Sequence, residues 1–256
     1  MFDKKKIFYN RQRALKSCDK KANVFLNKLS EDAVQRLGID KAKSFSILEI
    51  LPTSNIFVKT LEKEKINCVV YKTFFSSEIK EDKKRLTINH SNLSSMEDEK
   101  FDFCISFFPI FTEYELAHTL KSIKKVLKSN GKFLFLFFSA ESCSGLKSIF
   151  YNTFKTKAKE MFMPSPDILL LGNITNQLGY KNVVVDKTNF RITSNSPKDI
   201  WSFIRVIGAS NCLLKRNKKA SSRYNYNKLC EEIKLFLSED GKIINKLSIN
   251  YLIGTK

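Results

Sequence analysis

At 256 residues, with 43% hydrophobic and 12% aromatic side chains, the chain can bury a core of its own, and its composition excludes a disordered protein. The longest apolar run, Gly131 to Ala140, is interrupted by Lys132 and is far shorter than the roughly 20 residues that a bilayer span requires. A net charge of +19 permits attraction to nucleic acid, anionic lipid or an acidic protein without choosing among them. The lysines are dispersed along the chain beside frequent Asn, Ile, Phe and Ser, as a composition-wide bias would leave them. The denser clusters are Lys4 to Lys6 with Arg11 and Arg13, and Lys215, Arg216, Lys218 and Lys219, of which the second better suits a polyanion or an acidic partner. Met1 to Ser17 is basic but lacks the apolar core of a secretory signal, so a cytoplasmic location is expected. Cys18, Cys68, Cys104, Cys143, Cys212 and Cys230 are scattered, with no C-x-x-C pair and no His/Cys cluster. Neither a metal site nor a disulfide framework is signalled.

In chain order, Phe25, Leu26, Leu29, Ala33, Val34 and Leu37 recur at helical spacing over residues 18–37, with Gly38 as the stop. Ser44 to Leu51 reads as a strand buried on both faces, Thr53 to Lys65 as a helix and Ile66 to Lys72 as a second buried strand. That unit predicts a right-handed parallel βαβ pair. Arg85 to Asn89 and Phe101 to Phe108 follow as strands, then a helix from Thr112 with Leu116, Leu120, Ile123 and Leu127 on one stripe, ended by Ser129-Asn130-Gly131. Lys132 to Phe138 is the next buried strand, and the alternation is that of a doubly wound α/β sheet. Further along, Leu146 to Phe162 reads as helical, and Ser165-Pro166-Asp167 opens another helix with Ser165 as its cap. Val183 to Asp186 and Phe190 to Thr193 read as two strands, Ser196 to Asp199 as a capping box before a helix, and Leu247 to Gly254 as the last strand.

Phe101-Asp102-Phe103, a helix, and then Val126 to Phe135 with its Leu-Lys-Ser-Asn-Gly turn resemble the class I methyltransferase superfamily, where a Phe-Asp strand precedes a helix ending in Leu-Lys-Pro-Gly-Gly. Ile47 to Asn55 occupies the place of that family's first glycine-rich motif. A narrower resemblance covers nearly the whole length. Met1-Phe2-Asp3 with Arg11-Gln12-Arg13-Ala14, then Ile207 to Asn211, Glu239 to Ile243 and Ile249 to Gly254, resemble the family of NADH dehydrogenase (complex I) assembly factor 5. The related malonyl-acyl-carrier-protein methyltransferases of biotin synthesis share the first half, and the tail favours the assembly-factor branch. The resemblance implies a Rossmann-like domain over residues 1–256, with a helical entry at 1–43, a cofactor half at 44–140, and 141–256 completing the sheet and a helical cover. It implies S-adenosylmethionine as cofactor and, on the narrower branch, a respiratory NADH dehydrogenase subunit as partner with arginine as the modified residue.

Against the family pattern, Leu51, Thr53 and Asn55 replace the motif glycines, and none of the eight glycines lies between Gly38 and Gly131. Pro52 stiffens the turn and removes a donor. Glu49 matches the family's acidic residue in the first strand. Lys72, or Tyr71 with a one-residue slip, stands where an acid accepts from the ribose hydroxyls, and a lysine ammonium cannot accept. Asn89 and His90 match the adenine-contacting region, and Phe107-Phe108-Pro109 forms a hydrophobic wall where amino-methylating relatives carry Asn-Pro-Pro-aromatic. His90 and His118 both read as loop or surface histidines before they read as catalytic ones. No nucleophile constellation, P-loop or H-E-x-x-H motif points to another enzyme class, and no catalytic base is identified. Two readings follow: a methyltransferase with a remodelled pocket, or a binding protein that keeps the fold after losing the cofactor. Modification of RNA, resting on charge alone, ranks last.

Overall fold

The computed structural model describes residues 1–17, 19–74, 85–89, 93–94, 96, 98–110, 112–216, 223–234 and 240–256. Seven strands form one sheet: β1 (Ser44–Ile50), β2 (Asn67–Phe74), β3 (Arg85–Asn89), β4 (Phe101–Phe107), β5 (Leu127–Phe138), β6 (Lys181–Ser194) and β7 (Ile243–Thr255). Their order is β3-β2-β1-β4-β5-β7-β6. The first five strands run parallel and β7 is antiparallel to both its neighbours. This is the doubly wound α/β architecture expected, and the strand order reverses between β1 and β4, where such sheets place their ligand crevice.

The helices are α1 (Lys4–Lys16), α2 (Lys20–Leu37), α3 (Ile56–Lys63), α4 (Glu113–Val126), α5 (Ser144–Phe154), α6 (Ile168–Gln177), α7 (Pro197–Val206) and α8 (Arg223–Lys234). A 3₁₀ segment, Lys155–Glu160, follows α5. Apolar residues on both faces of the central strands bury under two helical layers. Ile47, Val70, Ile105, Leu134 and Tyr251 pack beneath α2, α3 and α7. Leu48, Ile50, Cys104, Phe133 and Phe135 pack beneath α4 and α6. A satellite core joins Leu146 and Phe150 of α5 to Leu229 and Ile233 of α8.

Local chemistry sets the helix ends. Asp19 accepts from Ala22 N at 2.8 Å to start α2, and Gly38 at φ +64° ends it. Thr112 with Glu115, and Ser196 with Asp199, form reciprocal capping boxes on α4 and α7.

Several boundaries differ from the sequence reading. The cap of α6 is Asp167, which accepts from Leu169 N and Leu170 N, and Ser165 lies before it. α4 ends at Val126, not at Gly131, because Leu127 already pairs with Phe101 and the sheet takes over at once. The two short strands expected over 183–193 are one strand, β6, in which Asp186 to Asn189 continue the ladder to β7. Their polar side chains suit an outermost strand, where a turn would also use them. α1 and α8 were not anticipated as helices. α1 buries Ile7, Asn10, Arg11 and Ala14 on one face, and its polar members conceal the apolar period.

No helix among the described residues is long and apolar enough to cross a membrane. None of their His, Cys, Asp and Glu side chains group as a metal site.

Gly254 in β7 faces the Phe133 ring, and a Cβ there would approach Phe133 Cε1 to 2.5 Å; one on Gly172 in α6 would meet Val185 at an ordinary 3.7 Å. Gly254→Ala should therefore cost about 1–3 kcal/mol through overpacking. Gly172→Ala should add about 0.5–1 kcal/mol by restricting the unfolded chain. Urea unfolding of the two variants checks both signs.

Candidate functional site

β1 is buried throughout its carboxyl half, so its end can turn sharply only if the first residue of the turn leaves the extended region. Leu51 does so at φ +49°, the left-handed conformation that glycine adopts freely. A leucine there carries about 1–2 kcal/mol of backbone strain. Its N–H donates to the Thr73 carbonyl and to Thr73 Oγ1, each at 3.2 Å. Its side chain turns into the core beneath α4 and α6, so the chain makes a left-handed bend here without a glycine. Pro52 and Thr53 are buried, and Asn55 precedes α3 without capping it.

The Asn55 side chain is engaged elsewhere. Its Oδ1 accepts from Lys72 Nζ at 2.8 Å, and the same ammonium lies 3.4 Å from Glu49 Oε2. Glu49 and Lys72 are direct sheet partners on neighbouring strands, both almost wholly buried. β2 continues two residues past Lys72 to Phe74, so Lys72 sits within the sheet opposite Glu49 and not at the strand end where the sequence reading placed it. The three candidate residues Glu49, Asn55 and Lys72 thus form one buried polar cluster at the start of α3. Tyr71 points the other way and packs edge-on to Phe101.

β4 ends beside this cluster. Ser106 Oγ donates to the Ile50 carbonyl at 2.7 Å, joining β4 to the end of β1 across the crevice. Phe107 packs on Phe57 of α3, its ring 5.6 Å away. Phe108 takes φ +54° and stacks on Phe138 with ring centroids 4.3 Å apart.

The carbonyls of Phe107 and Phe108 accept from the guanidinium of Arg11, which α1 carries into the crevice. Arg11 is 3% exposed. Burial pulls its pKa down to about 10, against the smaller upward pulls of Cys212 and Glu49. Its Nε has no hydrogen-bond partner among the described residues. Sequence reading placed Arg11 in a surface basic cluster. The signal that would have separated it is its position in the buried Ile7, Asn10, Arg11, Ala14 stripe.

α1 is itself tethered to the 208–216 segment. Asn10 Nδ2 donates to the Ser210 carbonyl and Arg13 to Ser210 Oγ, both at 3.0 Å, while Arg216 pairs with Asp3 at 3.0 Å. Gly208, whose φ of +71° favours glycine, lies against Ala14 and Arg11. One member of the second basic cluster is therefore an internal tie, and Lys218 and Lys219 lie outside the described residues.

The backbone of Asn89 ends β3 opposite Phe74, and His90 lies outside the described residues. His118 is exposed on α4, as its surface reading expects. The structure thus places Glu49, Leu51, Asn55 and Lys72 together at the end of β1, with Phe107 and Arg11 at the neighbouring end of β4.

Beyond Phe108 the end of the sheet opens into a cavity of about 420 Å³ beneath the first residues of the chain and the 163–166 segment.

A methyltransferase-domain family model matches residues 60–135. No curated protein matches the sequence. Among solved structures, a protein of the antibiotic biosynthesis pathway of Anabaena variabilis, described as a methyltransferase, superposes with TM-score 0.56 at 15% identity, covering 88% of this chain and 96% of its own. A Bacillus halodurans protein described as a methyltransferase gives 0.55 at 11% identity, covering 89% and 98%. The phosphoethanolamine N-methyltransferase 2 of Haemonchus contortus, in complex with S-adenosyl-L-methionine, gives 0.51 at 13% identity, covering 90% of this chain and 52% of its own. The fold is the Rossmann-like methyltransferase fold.

Breaking a buried ion pair on one side strands the other charge, at about 3–5 kcal/mol. Lys72→Met and Glu49→Gln should each destabilise on that order, and the double variant should cost clearly less than their sum. A double-mutant cycle by urea unfolding measures the difference.

Proposed function

We propose that the chain is an S-adenosylmethionine-dependent methyltransferase that holds the carboxylate at the amino-acid end of its cofactor with Arg11. The observation that carries this reading is the buried guanidinium at the carboxyl end of β4, whose Nε has no hydrogen-bond partner among the described residues. A carboxylate is the group that makes fullest use of such a donor. Glu49 already faces Lys72 as its counter-charge, so the residues present fit the carboxylate of the cofactor's amino-acid end and not its ammonium.

At the ribose, Lys72 offers a donor to a hydroxyl oxygen where an acid would accept. Thr53, Asn89, His90 and Phe107 remain the further candidate contacts. When bound, S-adenosylmethionine supplies an electrophilic methyl group on a sulfonium. The chain's own part is positioning: Arg11 fixes the amino-acid end, the turn at Leu51 sets the height of the crevice, and the buried strand ends exclude water. Transfer by orientation needs no general base.

The narrower likeness to the assembly-factor family draws support from a contact. The Arg11 to Ala14 and Ile207 to Asn211 segments that suggest it pack together through Gly208 and Ser210. On that branch the partner is a respiratory NADH dehydrogenase subunit. The arginine target it implies gains no such support, because no lining residue of the adjacent cavity is acidic. A second reading, a binding protein without cofactor chemistry, is favoured by the Lys72 to Asn55 bond, which occupies the loop from within.

Isothermal titration with S-adenosylmethionine and S-adenosylhomocysteine, on protein shown by mass spectrometry to carry neither, tests the choice. Micromolar binding is expected. Arg11→Met should weaken it about tenfold or more, the worth of one charge-assisted contact, while Arg11→Lys recovers part of the loss. Absence of binding at millimolar ligand would sink the methyltransferase reading and leave the binding protein.

A further inference from the structure

The cavity beside Phe108 has a lining with a consistent chemistry. Its floor is the stacked pair of Phe108 and Phe138, inclined by only 14°, and Pro109, Met163, Pro166 and Leu171 complete an apolar wall. Polar lining side chains are the hydroxyls of Thr112 and Ser165. Thr112 Oγ1 is engaged in its capping box, where the Glu115 carboxylate accepts from it and from Thr112 N at 3.0 and 2.9 Å. Among the described lining residues no side chain is charged, and the α-amino group of Met1 belongs to a mostly exposed residue at the rim. At about 420 Å³ the space is that of a small-molecule site.

We infer that this cavity binds an uncharged aromatic molecule, one or two fused rings in size, with its ring against the Phe108 and Phe138 pair. A charged ligand placed there would lose its hydration without a counter-charge in return, a penalty that burial in apolar surroundings makes severe. A neutral ring gains the area it buries against the aromatic pair, of which Phe138 is the more exposed member. Ser165 can give or take one hydrogen bond and so orient a single hydroxyl or carbonyl substituent. The cavity opens at the end of β4, next to the carbonyls that Arg11 holds. Its role as the methyl-acceptor site rests on the proposed methyltransferase function; the ligand class rests on the lining alone.

Three probes of one shape separate the charges: 2-naphthol, naphthalene-2-sulfonate and 2-naphthylmethylamine, titrated into the full chain at neutral pH and followed by fluorescence. 2-Naphthol should bind saturably, and the anion and the ammonium at least about tenfold more weakly. Ala209→Phe, which fills the cavity from its edge, should weaken 2-naphthol by about tenfold or more at unchanged melting temperature. Should that variant not fold, Ser165→Asp serves: it should lower 2-naphthol affinity and raise that of the ammonium. Equal affinity for the three probes, no saturable 2-naphthol binding below about 1 mM, or indifference to the cavity variants overturns the assignment. Charge-selective naphthol binding by a protein that does not bind S-adenosylmethionine would keep the ligand class and remove the methyltransferase function. Cofactor binding without naphthol binding would do the reverse.

Discussion

A guanidinium taken out of water must have its donors met, and in this chain that requirement organises the carboxyl end of the sheet. Arg11 is bonded to the carbonyls of Phe107 and Phe108. Those two residues can offer their carbonyls together because Phe108 has left the extended conformation, at φ +54°. α1 then lies across the end of β4, with Gly208 at φ +71° in ordinary contact with Arg11 and Ala14. The N-terminal helix, the bend after β4 and the 207–211 segment all meet at one buried charge. The same charge is the most direct argument for a carboxylate-bearing ligand in the crevice.

The turn after β1 shows how a glycine-rich motif can be replaced without losing its path. Conformation and space are two separate demands on a glycine, and this chain meets them by different means. Leu51 accepts the left-handed backbone and sends its side chain into the opposite core, which offsets the strain with burial. The space beside the strand is occupied by Lys72 and Asn55, which neutralise and hydrogen-bond one another with Glu49. Lys72 and Asn55 thus answer each other and Glu49 in one buried polar cluster.

Periodicity made most of the sheet legible because the central strands are buried on both faces, and buried parallel strands read as continuous apolar runs. Ser44 to Ile50 and Phe101 to Phe107 needed no other signal. The capping box at Ser196 and Asp199 was equally direct. Where polar residues serve structure, the pattern misled: Asp186 to Asn189 continue an outer strand, and Asn10 and Arg11 belong to a buried helix face. The cluster of Glu49 and Lys72 was visible as two family positions but not as a pair. Their juxtaposition depends on the β1/β2 register, which no local pattern encodes. The cavity is assembled from five separate stretches of chain, so its apolar lining was not readable at all.

The outermost strand carries a consequence for how copies of this protein behave together. β6 is fourteen residues long, and Val184 and Val185 on it are exposed. A long outer strand with apolar side chains is a template for pairing with another chain. Lys181, Lys187 and Arg191 lie along the same strand within a chain of net charge +19. Like charge keeps such edges apart only over the screening distance, about 8 Å at physiological ionic strength and about 3 Å at 1 M salt. Repulsion between basic surfaces therefore opposes pairing through this strand, and does so less as salt rises.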